Sequence, residues 1–199
     1  DKWLEDFCSR YQSEIGLPFL CNLNPNEVTA ERIQLLTDAG LSGIQMGLQT
    51  GSDRVNRHVF SRRATSEEFI HADMVLNQFK DKLIDRYYHL ISDNPWETVS
   101  DQARSFSLLN RLKKPYYLSV FSLVFYPGTH LHKRQVSDFP ELSDDNLGKD
   151  FFDAERNFVN RLLRATPVLP YPVARFFWET RHLLTTLLLF NFYYATVFV

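Results

Sequence analysis

The sequence has little cysteine, no large excess of charge of either sign and no targeting segment at its start. Its only cysteines, Cys8 and Cys21, argue against a disulfide framework and favour a reducing, cytoplasmic compartment. A net charge of -2 gives no electrostatic reason to expect nucleic acid as a partner. The chain does not begin with Met, and its first residues are typical of an amphipathic helix. We therefore expect a fragment or a processed product.

A glycine-rich phosphate loop is also missing, because no Gly-x-Gly-x-x-Gly follows any predicted strand. This absence argues against a dinucleotide-binding domain. What the sequence does contain is a regular alternation of helical and strand-like periodicity, which favours parallel βα units. Helices are predicted over 2–15, 27–39, 53–60, 65–80 and 98–112, and strands over 17–22, 43–49, 87–92 and 116–126.

The predicted fold is α/β, a partial (β/α) barrel of about four βα units over residues 1–137. We expect 138–199 to form a C-terminal helical extension, with an acidic loop-like start and a helix over 151–164. The last stretch, 183–199, has no charged residue. Packing of this tail on the barrel is the favoured interpretation, and association with a membrane is the alternative.

Each predicted strand ends in polar or turn-forming residues, and in parallel βα barrels ligands bind at those ends. The same residue types also cap helices and make turns, so the pattern indicates a ligand-binding rim without naming its ligand. The four strand ends are Asn22, 49–52 (QTGS), 93–97 (DNPWE) and 126–129 (YPGT). A barrel lyase or aldolase would need a lysine at a strand end, and none occurs there.

Four segments resemble the radical S-adenosylmethionine (SAM) superfamily in order and spacing. The segment 47–52 (GLQTGS), followed by Arg62 and Thr65, is similar to the family's fourth-strand motif. The segment 91–98 (ISDNPWET) resembles the fifth-strand motif, and 125–129 (FYPGT) resembles the sixth-strand ending. The strand at 17–22 looks like the third, so strands three to six of the barrel are expected. The most similar group is the one with a cobalamin-binding domain.

This resemblance implies a function and a set of partners. The complete protein would cleave SAM reductively at a [4Fe–4S] cluster and start radical chemistry, either methyl transfer or rearrangement, on an unknown small molecule. Cobalamin, an upstream cobalamin-binding domain and the missing barrel strands are the expected partners. The expected SAM contacts are Asn22, Gln49, Thr50, Ser52, Arg62, Asp93 and Tyr126.

Two of these residues have a specific predicted role. The amide of Gln49 can bind ribose hydroxyls, and Arg62 can pair with the SAM carboxylate through its two parallel N–H groups. Ser52 could equally well cap the following helix instead of contacting SAM. Arg62 could equally well form a surface ion pair. Glu97 is interpreted mainly as a helix-dipole residue. His89 is expected to be a core residue, and His130 and His132 are expected in a solvated loop.

The sequence departs from the family in one respect, since the Cys-x-x-x-Cys-x-x-Cys that holds the cluster is missing. Cys8 is expected to be a small buried apolar residue, and Cys21 alone cannot hold a cluster. Two functions therefore stay open. One is a fragment of a radical SAM enzyme, and the other is a non-catalytic truncated barrel that binds SAM or another protein.

Overall fold

The computed structural model describes residues 2–142 and 154–183. Four strands alternate with helices along the chain, and each strand is followed by at least one helix. The strands are β1 (Phe19–Leu23), β2 (Leu41–Gln49), β3 (Asp85–Ser92) and β4 (Tyr117–Ser122). The helices are α1 (Lys2–Glu14), α2 (Ala30–Asp38), α3 (Asp53–His58), α4 (Ser66–Gln78), α5 (Val99–Leu109), α6 (His130–Asp138) and α7 (Phe158–Ala165). Residues 171–183 are helical to the last described residue, and we call them α8.

The four strands form one parallel sheet in the order β1-β2-β3-β4, so spatial order follows chain order. Every neighbouring pair is parallel, which requires a crossover between successive strands. The predicted α/β fold of four parallel βα units with helices at the C-terminus is therefore confirmed.

The two faces of the sheet differ in burial, and this difference locates the core. On one face, side chains such as Ile44, Met46, Tyr88 and Leu90 are at most 2% exposed and pack under the helices. The other face, which we call the inner face, carries Asn22, Gln45, Tyr87, His89 and Phe121. These residues are half-buried or exposed because no described element covers that side.

Helix α1 lies against β1 through a line of aromatic rings. Trp3 stacks on Phe7 with 5.5 Å between ring centroids, and Tyr11 contacts Phe19 at 4.8 Å. Cys8 on the same helix is buried, as its apolar interpretation predicts. The outer end of this line is open, since Trp3 is 72% exposed.

Capping side chains begin the helices where the sequence places them. Thr65 and Glu68 form a capping box at α4, and Thr98 and Asp101 form another at α5. A reciprocal cap satisfies two backbone donors that the first turn leaves unpaired, so it defines the start of the helix.

One buried ionic group joins helix α4 to strand β3. The carboxylate of Asp73 accepts 2.7 Å hydrogen bonds from the hydroxyl of Tyr88 and the backbone N–H of Lys113. Arg86 Nη1 lies 3.5 Å from the same carboxylate, and both side chains are at most 3% exposed. Arg86 also donates from Nη2 to two backbone carbonyls at 113 and 115, which compensates part of the cost of its burial.

The C-terminal helices pack on the same core as the sheet. Leu162 and Leu163 of α7 are buried in that core, and Trp178 of α8 stacks on Phe106 at 4.6 Å. The boundary predicted at 137/138 stays a prediction. None of the helices that the structure describes combines the length and apolarity that a membrane crossing requires. The uncharged tail beyond Leu183 lies outside the described residues.

Three sequence expectations are wrong. The apolar run at 17–22 is typical of a strand buried on both faces, but β1 is not, because Leu20 is 55% exposed at the edge of the sheet. His130 and His132 lie in α6 and not in a loop, since Thr129 accepts a hydrogen bond from the N–H of His132 and caps that helix. The helix predicted over 151–164 is helical only from Phe158 among the described residues, because 154–157 are not helical and Asn157 is the N-cap; 151–153 lie outside the described residues.

Candidate functional site

The last residue of β2 and the first residue after β3 both have a left-handed backbone conformation. Gln49 has φ of 63° and Asp93 has φ of 55°. Residues other than glycine rarely adopt this region, and its strain is concentrated at functional sites. Gln49 and Asp93 therefore mark the carboxyl edge of the sheet as the candidate site.

Gly47 leaves the space in which two of the predicted SAM contacts meet. A Cβ atom at this position would lie 2.3 Å from Gln49 Nε2 and 3.0 Å from Arg62 Nη1. The side chain of Gln49 and the guanidinium of Arg62 thus lie side by side over the backbone of β2 on its inner face. The sequence predicted both residues for one ligand, and the structure brings them together.

Arg62 is half-buried and has no carboxylate partner among the residues that the structure describes. Burial lowers the pKa of its guanidinium, although arginine stays charged at any physiological pH. A partly desolvated cation without an anion attracts a carboxylate or phosphate, which it binds through two parallel N–H donors. The adjacent Arg63 is exposed.

A pocket of about 240 Å³ opens on the inner face beside Gln49. It is lined by Gln49, His89, Ile91, Phe121 and Tyr126, among others. His89 pairs in register with Gly47, and its ring meets Phe121 edge-on at 5.2 Å between centroids. Tyr126, another predicted contact, lies at the exposed rim of this pocket.

Thr50 and Ser52 are both fully buried in the loop after β2 and bond to the next βα unit. The hydroxyl of Thr50 donates to Glu97 Oε1 at 2.7 Å, and that of Ser52 donates to Asp101 Oδ1 at 2.6 Å. Ser52 is also the N-cap of α3. Both hydroxyls hold the rim together in this structure, and their contact with a ligand stays a prediction.

Asp101 is the acceptor at the centre of this loop network. Burial alone would raise its pKa, but hydrogen bonds from Arg54, Ser52 and Thr98 outweigh burial and hold the pKa well below its usual range. Arg54 donates to the same carboxylate and to the carbonyl of Trp96. The loops after β2 and β3 are therefore joined by an ionised carboxylate.

Glu97 lies just before α5, and its carboxyl group points to the β2 loop, which the dipole interpretation did not anticipate. Burial raises the pKa of Glu97 to about 7, and the negative charges of Asp101 and Asp93 act in the same direction. The Glu97 carboxyl group therefore changes charge near neutral pH.

Asp93 is joined to the C-terminal segment. Its carboxylate accepts hydrogen bonds from the backbone N–H of Glu155 and from Asn160 Nδ2, each at 2.8 Å. The hydroxyl of Ser92 donates to Asn160 Oδ1 in the same cluster. A cavity of about 410 Å³ lies beside these residues on the helix side of the sheet. Asp93 is thus engaged in the fold, and its contact with SAM stays a prediction.

Asn22 lies on the inner face but apart from Gln49. It pairs with Gln45 in the middle of β2 and not with the residues at the strand end. Asn22 is exposed, and in the strand register it is not paired with any residue of 47–52. Its predicted role in SAM binding stays a prediction.

The residues of this chain do not fit a [4Fe–4S] cluster. Cys8 is buried in α1, and Cys21 lies on β1 with its side chain packed against the core. Burial raises the pKa of Cys21 to about 11. A cluster of this kind is held by three thiolates, which two separate cysteines cannot supply. No group of three candidate metal ligands occurs within 2–142 and 154–183.

Sequence reasoning missed two residues of this region. His89 was set aside because it lies among aromatic residues within a strand. Only the pairing register, which places it beside Gly47, shows that it faces the open side. Asn160 gave no signal, because its partner Asp93 is 67 positions away in the chain.

The fold and rim define a class of α/β protein that resembles part of a radical SAM barrel. The solved structure of coproporphyrinogen III oxidase (HemN) from Escherichia coli, described as a radical SAM enzyme, superposes with a TM-score of 0.55 and 19% identity. The match covers 67% of this chain and 32% of HemN. At this identity the likeness shows the fold. No family model matches the sequence, and a search of curated proteins finds no relative.

Proposed function

We propose that this chain supplies the SAM-binding inner face of a radical SAM enzyme. One observation carries the proposal. Gln49 and Arg62 lie side by side over Gly47 at the end of β2, and Arg62 has no carboxylate partner among the described residues. SAM carries a carboxylate and ribose hydroxyls, which are the groups that a guanidinium and an amide bind. The resemblance of the fold to part of a radical SAM barrel supports the same assignment.

The complete protein would hold a [4Fe–4S] cluster, whose chemistry is the reductive cleavage of SAM. Because the cysteines of this chain do not fit that cluster, its ligands would have to come from residues outside 1–199. The proposal also includes cobalamin as a cofactor and a cytoplasmic location. The reaction would be methyl transfer or rearrangement on an unidentified small molecule.

The free edge of the sheet supports the expectation of further barrel strands. Within the described part of the chain, β1 pairs with β2 alone, and Leu20 and Asn22 are exposed beside it. An unpaired edge of this kind is a template for another strand. We propose that upstream strands of the barrel pair with β1 and cover the aromatic line of α1.

The first experiment measures SAM binding by isothermal titration calorimetry on the protein expressed from its complete coding sequence. Loss of a charged hydrogen bond is expected to weaken SAM binding about tenfold or more in Arg62→Gln, and Gln49→Ala should weaken it about fivefold. Arg63→Gln is the matched control, since Arg63 is adjacent but exposed, and it should bind SAM as the unchanged protein does.

Unchanged affinity in both Gln49→Ala and Arg62→Gln would remove the proposed site. The coding sequence upstream of Asp1 separates the two functions that the sequence left open. A Cys-x-x-x-Cys-x-x-Cys there supports the enzyme. SAM binding without such a motif supports the alternative, a non-catalytic barrel that binds SAM.

A further inference from the structure

The inner-face pocket next to Gln49 contains a histidine that the fold does not use. His89 lies in the middle of the inner face, on the strand beside Gly47. Neither ring nitrogen of His89 has a hydrogen-bond partner among the residues of 2–142 and 154–183, and its ring meets the edge-on ring of Phe121. A structural histidine in a core normally has a bonded nitrogen, because burial without one is costly.

The charge state of His89 follows from its surroundings. Burial lowers the pKa of the imidazole, so at neutral pH the ring is uncharged. An uncharged imidazole has one nitrogen that donates a hydrogen bond and one that accepts. The pocket therefore offers an acceptor nitrogen on a wall that is otherwise largely apolar.

The lining of the pocket restricts the chemistry of its occupant. None of the described residues that line it carries a formal charge at neutral pH. Ile91 and Phe121 supply apolar contact, and His89 and Gln49 supply polar atoms. A charged group moved into such a pocket would lose its hydration and gain no counter-ion from the lining, because Arg62 is assigned to the carboxylate of SAM. Its burial therefore costs more than that of a neutral polar group.

We propose that this pocket holds the reacting part of the substrate, that this part is uncharged and apolar with a hydroxyl or N–H donor, and that His89 positions it by accepting the hydrogen bond. This inference rests on the proposed function, because it assigns the pocket to the substrate of that enzyme. Arg62 and Gln49 lie one strand away over Gly47, so SAM and such a substrate would be neighbours on one face.

The test uses phenol as the probe, since it is small and neutral and joins an apolar ring to one hydroxyl donor. Binding is followed by NMR through the signals of the probe itself, in the presence of the complete protein, so the readout is the same for every variant. Saturating SAM is added if the protein binds it. Toluene lacks the donor, and benzoate and benzylammonium carry the two charges, so all three are expected to bind at least about fivefold more weakly than phenol.

Variants of His89 test the hydrogen bond itself. His89→Phe keeps a ring but removes the acceptor and should weaken phenol binding about fivefold, the value of one ordinary hydrogen bond. His89→Gln restores an acceptor and should recover part of that loss, which a merely structural role would not produce. His71→Phe is the control, because His71 is exposed on α4, away from the inner face.

Equal phenol affinity in the unchanged protein and in His89→Phe would overturn the inference. So would tighter binding of benzoate than of phenol, or no phenol binding at all. SAM affinity is measured on the same samples. SAM binding with failed phenol selectivity refutes the pocket assignment alone, whereas failure to bind SAM refutes the proposed function whatever phenol does.

Discussion

The hydroxyl of Thr50 donates a 2.7 Å hydrogen bond to the carboxyl group of Glu97, and this bond links the carboxyl ends of β2 and β3. Thr50 is 0% exposed, so the bond forms away from bulk water. The hydroxyl oxygen of Ser105 on α5 lies 3.3 Å from the same Thr50 hydroxyl and accepts the N–H of Gly51 at 2.8 Å. The rim is thus held by buried side chains, and the bond between Thr50 and Glu97 is the one among them that involves the ionisable group of Glu97.

Glu97→Gln is expected to reduce the pH dependence of stability. The folded pKa of Glu97 is raised to about 7, so between the unfolded value of 4.5 and about 7 the native state binds more protons than the unfolded chain. Stability contributed by the protonated carboxyl is therefore present below the unfolded pKa and is lost as pH rises through 7. Glutamine keeps a neutral amide at every pH.

The measurement is the melting temperature of both proteins at pH 5 and at pH 8. Relative to the unchanged protein, Glu97→Gln should be more stable at pH 8 than at pH 5, because only the unchanged protein must bury a charge there. Other titrating groups cancel in the comparison. A difference between the two proteins that is the same at both pH values contradicts the assignment.

Asp73→Ala is expected to cost about 3–5 kcal/mol of the free energy of unfolding, because it leaves Arg86 as a buried charge without its partner. It also removes the acceptor of Tyr88 and of the Lys113 N–H. Urea unfolding followed by circular dichroism measures the loss. Asp81→Ala is the control at an exposed site and should change stability by about 0.5 kcal/mol at most.

Two alanine substitutions at glycines should separate binding from folding. In Gly47→Ala the new methyl group meets the ends of Gln49 and Arg62, which are flexible and can move away. We expect a folded protein whose SAM affinity falls about tenfold, since Arg62 no longer occupies its position. Calorimetry with SAM and a thermal melt on one sample measure both quantities.

Gly51→Ala provides the contrast. Its Cβ would lie 2.5 Å from the Cα of Ser105 and 2.7 Å from the backbone nitrogen of Ser105, atoms of helix α5 that cannot turn aside. Overpacking of this kind costs about 1–3 kcal/mol. A Gly47→Ala protein that loses as much stability as Gly51→Ala would show that Gly47 serves packing and not the site.

The order of helices and strands could be predicted from sequence, because apolar periodicity and caps such as Thr65 and Thr98 are local signals. The helix α6 was not predicted. Its N-cap Thr129 is the one local signal for it, and the residues that follow are mostly polar or charged and so lack clear apolar periodicity. The exposure of β1 depends on which strands are its neighbours, which no local pattern contains. Gln49 and Arg62 were predicted together through family resemblance, whereas the role of Gly47 between them needed coordinates.

Gln49 and Asp93 share a left-handed backbone conformation, but they differ in whether other contacts compensate for its strain. At each position a glycine would satisfy the backbone without strain, so a larger side chain persists only if something compensates for about 1 kcal/mol or more. For Asp93 the compensation is visible in its bonds to Glu155 and Asn160. For Gln49 no described residue supplies it. Glycine at 93 should therefore destabilise the chain, whereas glycine at 49 should leave the fold as stable as before and remove only the capacity to hold a ligand.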